Sequence, residues 1–138
     1  MREFKILPKI QDFELNMIEK LLGEGISIIT RAYIKKYGGD SVLEKYFEDK
    51  FVCTKWELSQ FLFFKDMYNL TQEFSEVYKR KLVPFAYDPG GWHFCLCMDE
   101  KDFGCIIVNR WTDYSEEEQF LKIADSFEEF IDGLQAEE

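Results

Sequence analysis

Between Leu82 and Arg110 the chain reads as extended, strand-like segments joined by turns. The stretch opens with the apolar run Leu82-Val83-Pro84-Phe85-Ala86-Tyr87, in which Pro84 disfavours a helical conformation at Val83. Asp88-Pro89-Gly90-Gly91 follows, a sequence with turn chemistry at every position. Trp92–Met98 and Phe103–Arg110 are then two strand-like segments around Asp99-Glu100-Lys101-Asp102, which reads as a hairpin.

The segments on either side are helical and strand-like by turns. Gln11–Leu22 places Phe13, Met17, Ile18, Leu21 and Leu22 at helical spacing, and Gly23 and Gly25 stop it. Ser27 is placed to cap a second helix that turns Ile28, Ile29, Ala32, Tyr33 and Tyr37 toward the core and ends at Gly38-Gly39. Val42–Phe47 and Phe51–Trp56, joined by Glu48-Asp49-Lys50, read as a hairpin. Phe61-Leu62-Phe63-Phe64 reads as a short buried strand. A helix from Asn69 or Thr71 to about Arg80 follows, with Leu70, Phe74, Val77 and Tyr78 on one side. Phe120–Ala124 reads as a strand or turn. Ser126 and Glu129 form a capping box for a last helix whose apolar face is Phe127, Phe130, Ile131 and Leu134. Segregation of helices and strands in this order predicts an α+β domain, an antiparallel sheet backed by helices. The expected domain spans residues 1–138, with Gln135–Glu138 as a frayed tail. At 138 residues with 14 Phe, 7 Tyr and 3 Trp, the chain can build its core without disulfide or metal.

Charge is divided unevenly. Met1–Ala86 carries 14 Lys/Arg against 13 Asp/Glu, whereas Tyr87–Glu138 carries 3 against 14, giving the net −10. Such a balance serves solubility, and it also attracts a basic partner while repelling nucleic acid. Direct nucleic-acid binding needs a basic stripe. The nearest candidate, Lys79-Arg80-Lys81, reads instead as a helix C-terminus complementing its dipole. The acid run Glu116-Glu117-Glu118, preceded by Trp111, Asp113 and Tyr114, is the best candidate contact surface, because aromatic residues anchor interfaces and acids steer a basic partner. Its bland counterpart is a solvated loop with Trp111 tucked into the core. Asp99, Glu100 and Asp102 extend the candidate patch from the hairpin tip.

Four cysteines and one histidine are the remaining chemistry. Met1-Arg2-Glu3-Phe4-Lys5 contains no apolar export region, and the apolar runs are too short for a bilayer, so reduced thiols and a cytoplasmic location are expected. His93, Cys95 and Cys97 alternate along one strand, with Cys105 on the next. Side chains two apart on a strand stand about 7 Å apart, too far for a compact zinc site, and no Cys-x-x-Cys knuckle is present. Small buried residues are the better reading of the cysteines. No acid–base partner or oxyanion donor accompanies His93, and neither Gly38-Gly39 nor Gly90-Gly91 has phosphate-loop spacing. No catalytic residue, metal or cofactor is therefore expected. An uncovered edge strand could pair two copies.

The pattern as a whole resembles the SUKH superfamily of Smi/Knr-like domains. The residues that carry the likeness are Tyr37-Gly38-Gly39, the stretch from Pro84 to Trp92 followed by Phe94-Cys95-Leu96, and Ala124-Asp125-Ser126-Phe127-Glu128-Glu129-Phe130. Tyr37 and Trp92 stand where Asn is usual, and Ile26-Ser27 where Leu-Pro is often found. The resemblance implies a single non-enzymatic domain. Bacterial members look like immunity proteins that neutralise polymorphic or contact-delivered toxins, often nucleases or deaminases, and fungal relatives regulate cell-wall glucan synthesis. A basic protein toxin domain is the implied partner, and a regulatory adaptor is the alternative.

Overall fold

In the computed structural model, residues 10–39, 45–51, 53–110 and 119–135 are described. Four helices and seven strands follow one another as α1 (Asp12–Leu22), α2 (Ile28–Tyr37), β1 (Tyr46–Glu48), β2 (Lys55–Glu57), β3 (Gln60–Phe61), α3 (Phe64–Tyr78), β4 (Leu82–Tyr87), β5 (His93–Cys97), β6 (Ile106–Asn109), β7 (Phe120–Ala124) and α4 (Phe127–Asp132). Strands β3 to β7 form one antiparallel sheet in sequence order, and β1 and β2 form a separate hairpin. The architecture is α+β, as the segregation of helical and strand-like segments predicts.

Pro84 is accommodated by the way β4 is paired. β3 reaches β4 only at Ala86 and Tyr87, and the register with β5 shifts between Pro84 and Ala86. The missing proline N–H therefore falls beside a bulge, where it costs no sheet hydrogen bond. The following turn is built as expected: the Asp88 carboxylate accepts from the N–H of Gly90 (2.9 Å) and of Trp92 (2.8 Å).

Strand alternation gives the sheet two faces. Val83, Phe85, Phe94, Leu96, Ile106, Val108 and Ile123 join the main core with residues of all four helices and the β1–β2 hairpin. Its centre is aromatic: Phe85 lies 4.6 Å from Phe127 and Phe47 4.9 Å from Phe130, centroid to centroid. Each such buried ring contributes about 1.5–3 kcal/mol. On the other face Leu82, Cys95, Cys97, Cys105 and Ile107 pack beneath Phe74, with Tyr78 and Phe120 alongside.

Several elements depart from the sequence reading. In α1 the buried residues are Leu15, Ile18 and Leu22, while Phe13 and Met17 face solvent. The apolar residues of this helix cover more than one face, and α2 decides which is covered. Arg31 of α2 reaches Asp12, Asn16 and Glu19, which turns Phe13 and Met17 outward. In α2 Ser27 caps as expected, but Ile34 is the buried residue, Tyr33 and Tyr37 are half-buried, and Ile28, Ile29 and Ala32 are exposed. The expected strand Phe61–Phe64 is strand only at its first residue. Leu62 still donates to the Phe85 carbonyl, then Phe63 is the N-cap of α3, which starts at Phe64, five residues before Asn69. A run of four apolar residues does not distinguish strand from helix, and Met67, fully buried at the first turn, takes the core position. Val77 is exposed. The hairpin expected at residues 42–56 is shorter, with Tyr46 opposite Glu57 and Glu48 opposite Lys55, and residues 42–44 lie outside those described. Finally, Gln135 is not frayed. It exchanges two backbone hydrogen bonds with Tyr46, of 3.0 and 2.7 Å, fastening the chain after α4 to β1. The sequence shows no strand pattern there, because a single bridge has no period.

Candidate functional site

The second face of the sheet is only partly roofed by α3, and what remains is a cleft of about 500 Å³. Its walls are the residues just after α3 (Lys79, Arg80), the β5–β6 hairpin tip (Asp99, Lys101, Asp102) and β7 (Lys122), and its floor is Ile107 and Phe120. Lys79 is the C-cap of α3, left-handed at φ 56°. Of the basic triplet expected to end the helix, Lys79 closes α3 and Arg80 and Lys81 lead into β4. The tip is tightly turned, with Asp102 at φ 63° and Gly104 at φ 88°, and the Cys105 N–H donates to the Asp102 carbonyl at 3.0 Å.

Two of the cations are fixed by ion pairs. Arg80 Nε donates to Asp99 Oδ2 at 2.8 Å, and Asp99 Oδ1 accepts from the Lys81 N–H at 2.8 Å, so one carboxylate ties the hairpin tip to the chain leaving α3. The Arg80 guanidinium also sits 5.0 Å from the Phe120 ring centroid, whose edge meets Tyr78 at 5.1 Å. Lys122 Nζ lies 3.1 Å from Asp125 and 3.5 Å from Asp102. Asp125 is shared with Lys50 (2.7 Å), which also reaches Glu129 at 3.2 Å. Hydrogen bonding to Asp125 raises the pKa of both Lys50 and Lys122, and their ammonium groups lower that of Asp125. Lys79 and Lys101 make no side-chain ion pair among the described residues, so their charges face the cleft uncompensated.

Beneath the tip lie the thiols. Cys95, Cys97 and Cys105 are buried and Cys53 is exposed, all four unpaired by disulfide. Burial drives the Cys95 thiol pKa upward. A hydrogen bond from Cys105 pulls Cys97 down to about 7 while the donor is pushed up. Cys97 Sγ is also within 3.7–3.8 Å of Asp99 Oδ2 and the Lys101 carbonyl. His93 is on the same side of β5, edge-on to Phe74 at 6.5 Å and beside Tyr87. Desolvation depresses its pKa against the opposing pull of Asp88 and Asp66. Among the described residues no group of three His, Cys, Asp or Glu is arranged to hold a metal ion.

Of the contact residues expected from sequence, the structure brings Asp99 and Asp102 together at the hairpin tip but commits both to cations, and leaves Glu100 exposed. Trp111, Asp113, Tyr114, Glu116, Glu117 and Glu118 lie outside the described residues. Sequence reasoning missed the cleft. Lys101 and Lys122 stand alone in acidic surroundings, and only the hairpin and the sheet register bring them to Lys79 and Arg80. The triplet Lys79-Arg80-Lys81 was the one legible signal.

A five-stranded antiparallel meander with one helix across part of one face and aromatic packing on the other defines an α+β domain, with no helix among the described residues long and apolar enough to cross a membrane. The SUKH_6 family model, described as SMI1-KNR4 cell-wall, matches residues 12–131, so the chain belongs to the SUKH superfamily. Neither a curated protein nor a solved structure matches it significantly.

Proposed function

We propose that this chain is a non-enzymatic, cytoplasmic immunity protein that neutralises a basic toxin domain, of nuclease or deaminase class, by protein–protein binding. Membership of the SUKH superfamily carries the reading. The charge division supports it: the segment from Tyr87 onward holds 14 acids against 3 bases, a field suited to steering a cationic cleft into contact. The acid run Glu116-Glu117-Glu118 with Trp111 and Tyr114 supplies the charge and the aromatic anchors for such a contact.

The test is association of the purified chain with the toxin domain encoded beside it. Changing Glu116, Glu117 and Glu118 together to Lys slows association about tenfold at low salt and flattens its ionic-strength dependence. Unchanged association kinetics overturns the surface, and turnover of a small substrate by the partner-free chain overturns the non-enzymatic reading. The second reading is a regulatory adaptor, favoured by the cell-wall description of the matched family. Co-purification with cell-wall synthesis proteins, and no toxin gene alongside, decides for it.

A further inference from the structure

The cleft beside the hairpin tip runs against the rest of the molecule. In a chain of net charge −10, four of its eight lining residues are cations, Lys79, Arg80, Lys101 and Lys122, against two carboxylates, Asp99 and Asp102. A solvated acidic surface has no need to gather four cations around one concavity, because their mutual repulsion is unfavourable unless something offsets it. Asp99 holds Arg80, and Asp102 and the neighbouring Asp125 hold Lys122, so these two cations are already paired. Lys79 and Lys101 are the two lining cations without an ion pair among the described residues. The floor is apolar, Ile107 and the Phe120 ring, with the Arg80 guanidinium laid against that ring.

We propose that this cleft binds a small phosphorylated molecule of mononucleotide size, with its phosphate between Lys79 and Lys101 and its apolar or planar part over Ile107 and Phe120. The volume suits one small molecule: drug-sized ligands occupy clefts of about 300–1,000 Å³, and this one is about 500 Å³. A dianionic phosphate matches the uncompensated charge of two, and Lys and Arg are the usual phosphate donors, Lys as a point charge and Arg through its fork. With Nε engaged by Asp99, Arg80 is held so that its terminal N–H groups need little ordering on binding. A long acidic peptide is the poorer fit, since the four cations line one concavity of about 500 Å³. This site is separate from the acid run at Glu116–Glu118, and its occupancy does not depend on the immunity reading.

The experiment is calorimetric titration of the full chain with AMP, with inorganic phosphate and with a poly-glutamate peptide, at 50 and 300 mM salt. The expected result is saturable one-to-one AMP binding that is weaker at the higher salt, at least about tenfold tighter than inorganic phosphate. Lys79→Glu with Lys101→Glu abolishes it, and Lys79→Gln with Lys101→Gln weakens it about tenfold. Neither lysine makes an ion pair among the described residues, so the melting temperature of the Gln pair stays within a degree or two of the parent, which separates lost binding from lost folding. The proposal is overturned by absence of saturable AMP binding below millimolar concentration, by AMP binding that survives the charge reversals, by phosphate binding as tightly as AMP, or by a preference for poly-glutamate.

Discussion

Asp49 offers the sharpest test of how this fold is held. It is 2% exposed, and its carboxylate accepts from the Phe51 N–H at 2.9 Å, the Thr54 N–H at 3.2 Å and the Trp56 indole Nε1–H at 2.7 Å. Burying a carboxylate is costly, and N–H donors, three of them among the described residues, offset that cost here. The carboxylate closes the β1–β2 turn. Through that turn it sets Phe47 against Phe130 and Lys50 against Asp125, the acid that also holds Lys122 at the cleft. Asp49→Ala leaves the three donors without this acceptor. Hydrogen bonds to a charged group contribute about 1.5–3 kcal/mol each, but the Phe51 and Thr54 amides are near enough to the surface to recover water, so the loss is about 4 kcal/mol. Asp49→Asn is milder. Its carbonyl can turn to Thr54 and Trp56, with the amide opposing the Phe51 N–H, for about 2 kcal/mol. Urea unfolding followed by tryptophan fluorescence and far-UV circular dichroism measures both. With a slope of about 2 kcal/mol per molar urea, the midpoint falls by about 2 M for Ala and about 1 M for Asn. Trp56→Phe combined with Asp49→Ala must cost at least about 1 kcal/mol less than the sum of the two singles, because they remove the same bond. Strict additivity, or an Asp49→Ala midpoint within about 0.3 M of the parent, refutes the reasoning.

Two further outcomes follow from the buried face of the sheet. A disulfide reagent added to the native protein modifies one thiol quickly, Cys53, while Cys95, Cys97 and Cys105 react only on the timescale of opening, despite the lowered pKa of Cys97; two or more fast thiols, or fast labelling that persists in Cys53→Ser, contradict this. His93 has a folded-state pKa below the ordinary 6.5, so the fold favours the neutral ring. That contribution is complete above about pH 6.5 and is lost as pH falls through the lowered value, so the urea midpoint drops between pH 7 and pH 5. In His93→Gln the drop over that interval is smaller, and an equal drop in both proteins refutes the assignment.

What could be read from the sequence was local. Pro84, the Asp88–Gly91 turn and the alternation from Trp92 to Arg110 act through backbone sterics and a period of two, and they placed β4 and β5 within a residue; β6 starts three residues later than the expected Phe103. Ser27 and Ser126 capped the helices expected of them, by accepting from the N–H of Thr30 and of Glu129. The expected capping box at Ser126 is altered in one detail, since the Glu129 carboxylate accepts from Asp125 and not from the cap residue. The candidate site was legible only in part. Asp99 and Asp102 were rightly placed at a hairpin tip, but nothing in the order of residues pairs them with Arg80 and Lys122.

The α+β class, most of the helices and C-terminal strands and the uneven charge were legible in the residues alone, because caps, turns, period and composition act between residues close along the chain. Tertiary structure decided which side of α1 and α2 is buried, where α3 begins, how Gln135 is fastened to Tyr46, and that four scattered cations meet over one face of the sheet. Those outcomes depend on which surfaces compete to be covered and on charges brought together from distant parts of the chain. A helix with apolar residues on two sides satisfies its own backbone equally well either way round, and only its neighbours break the tie.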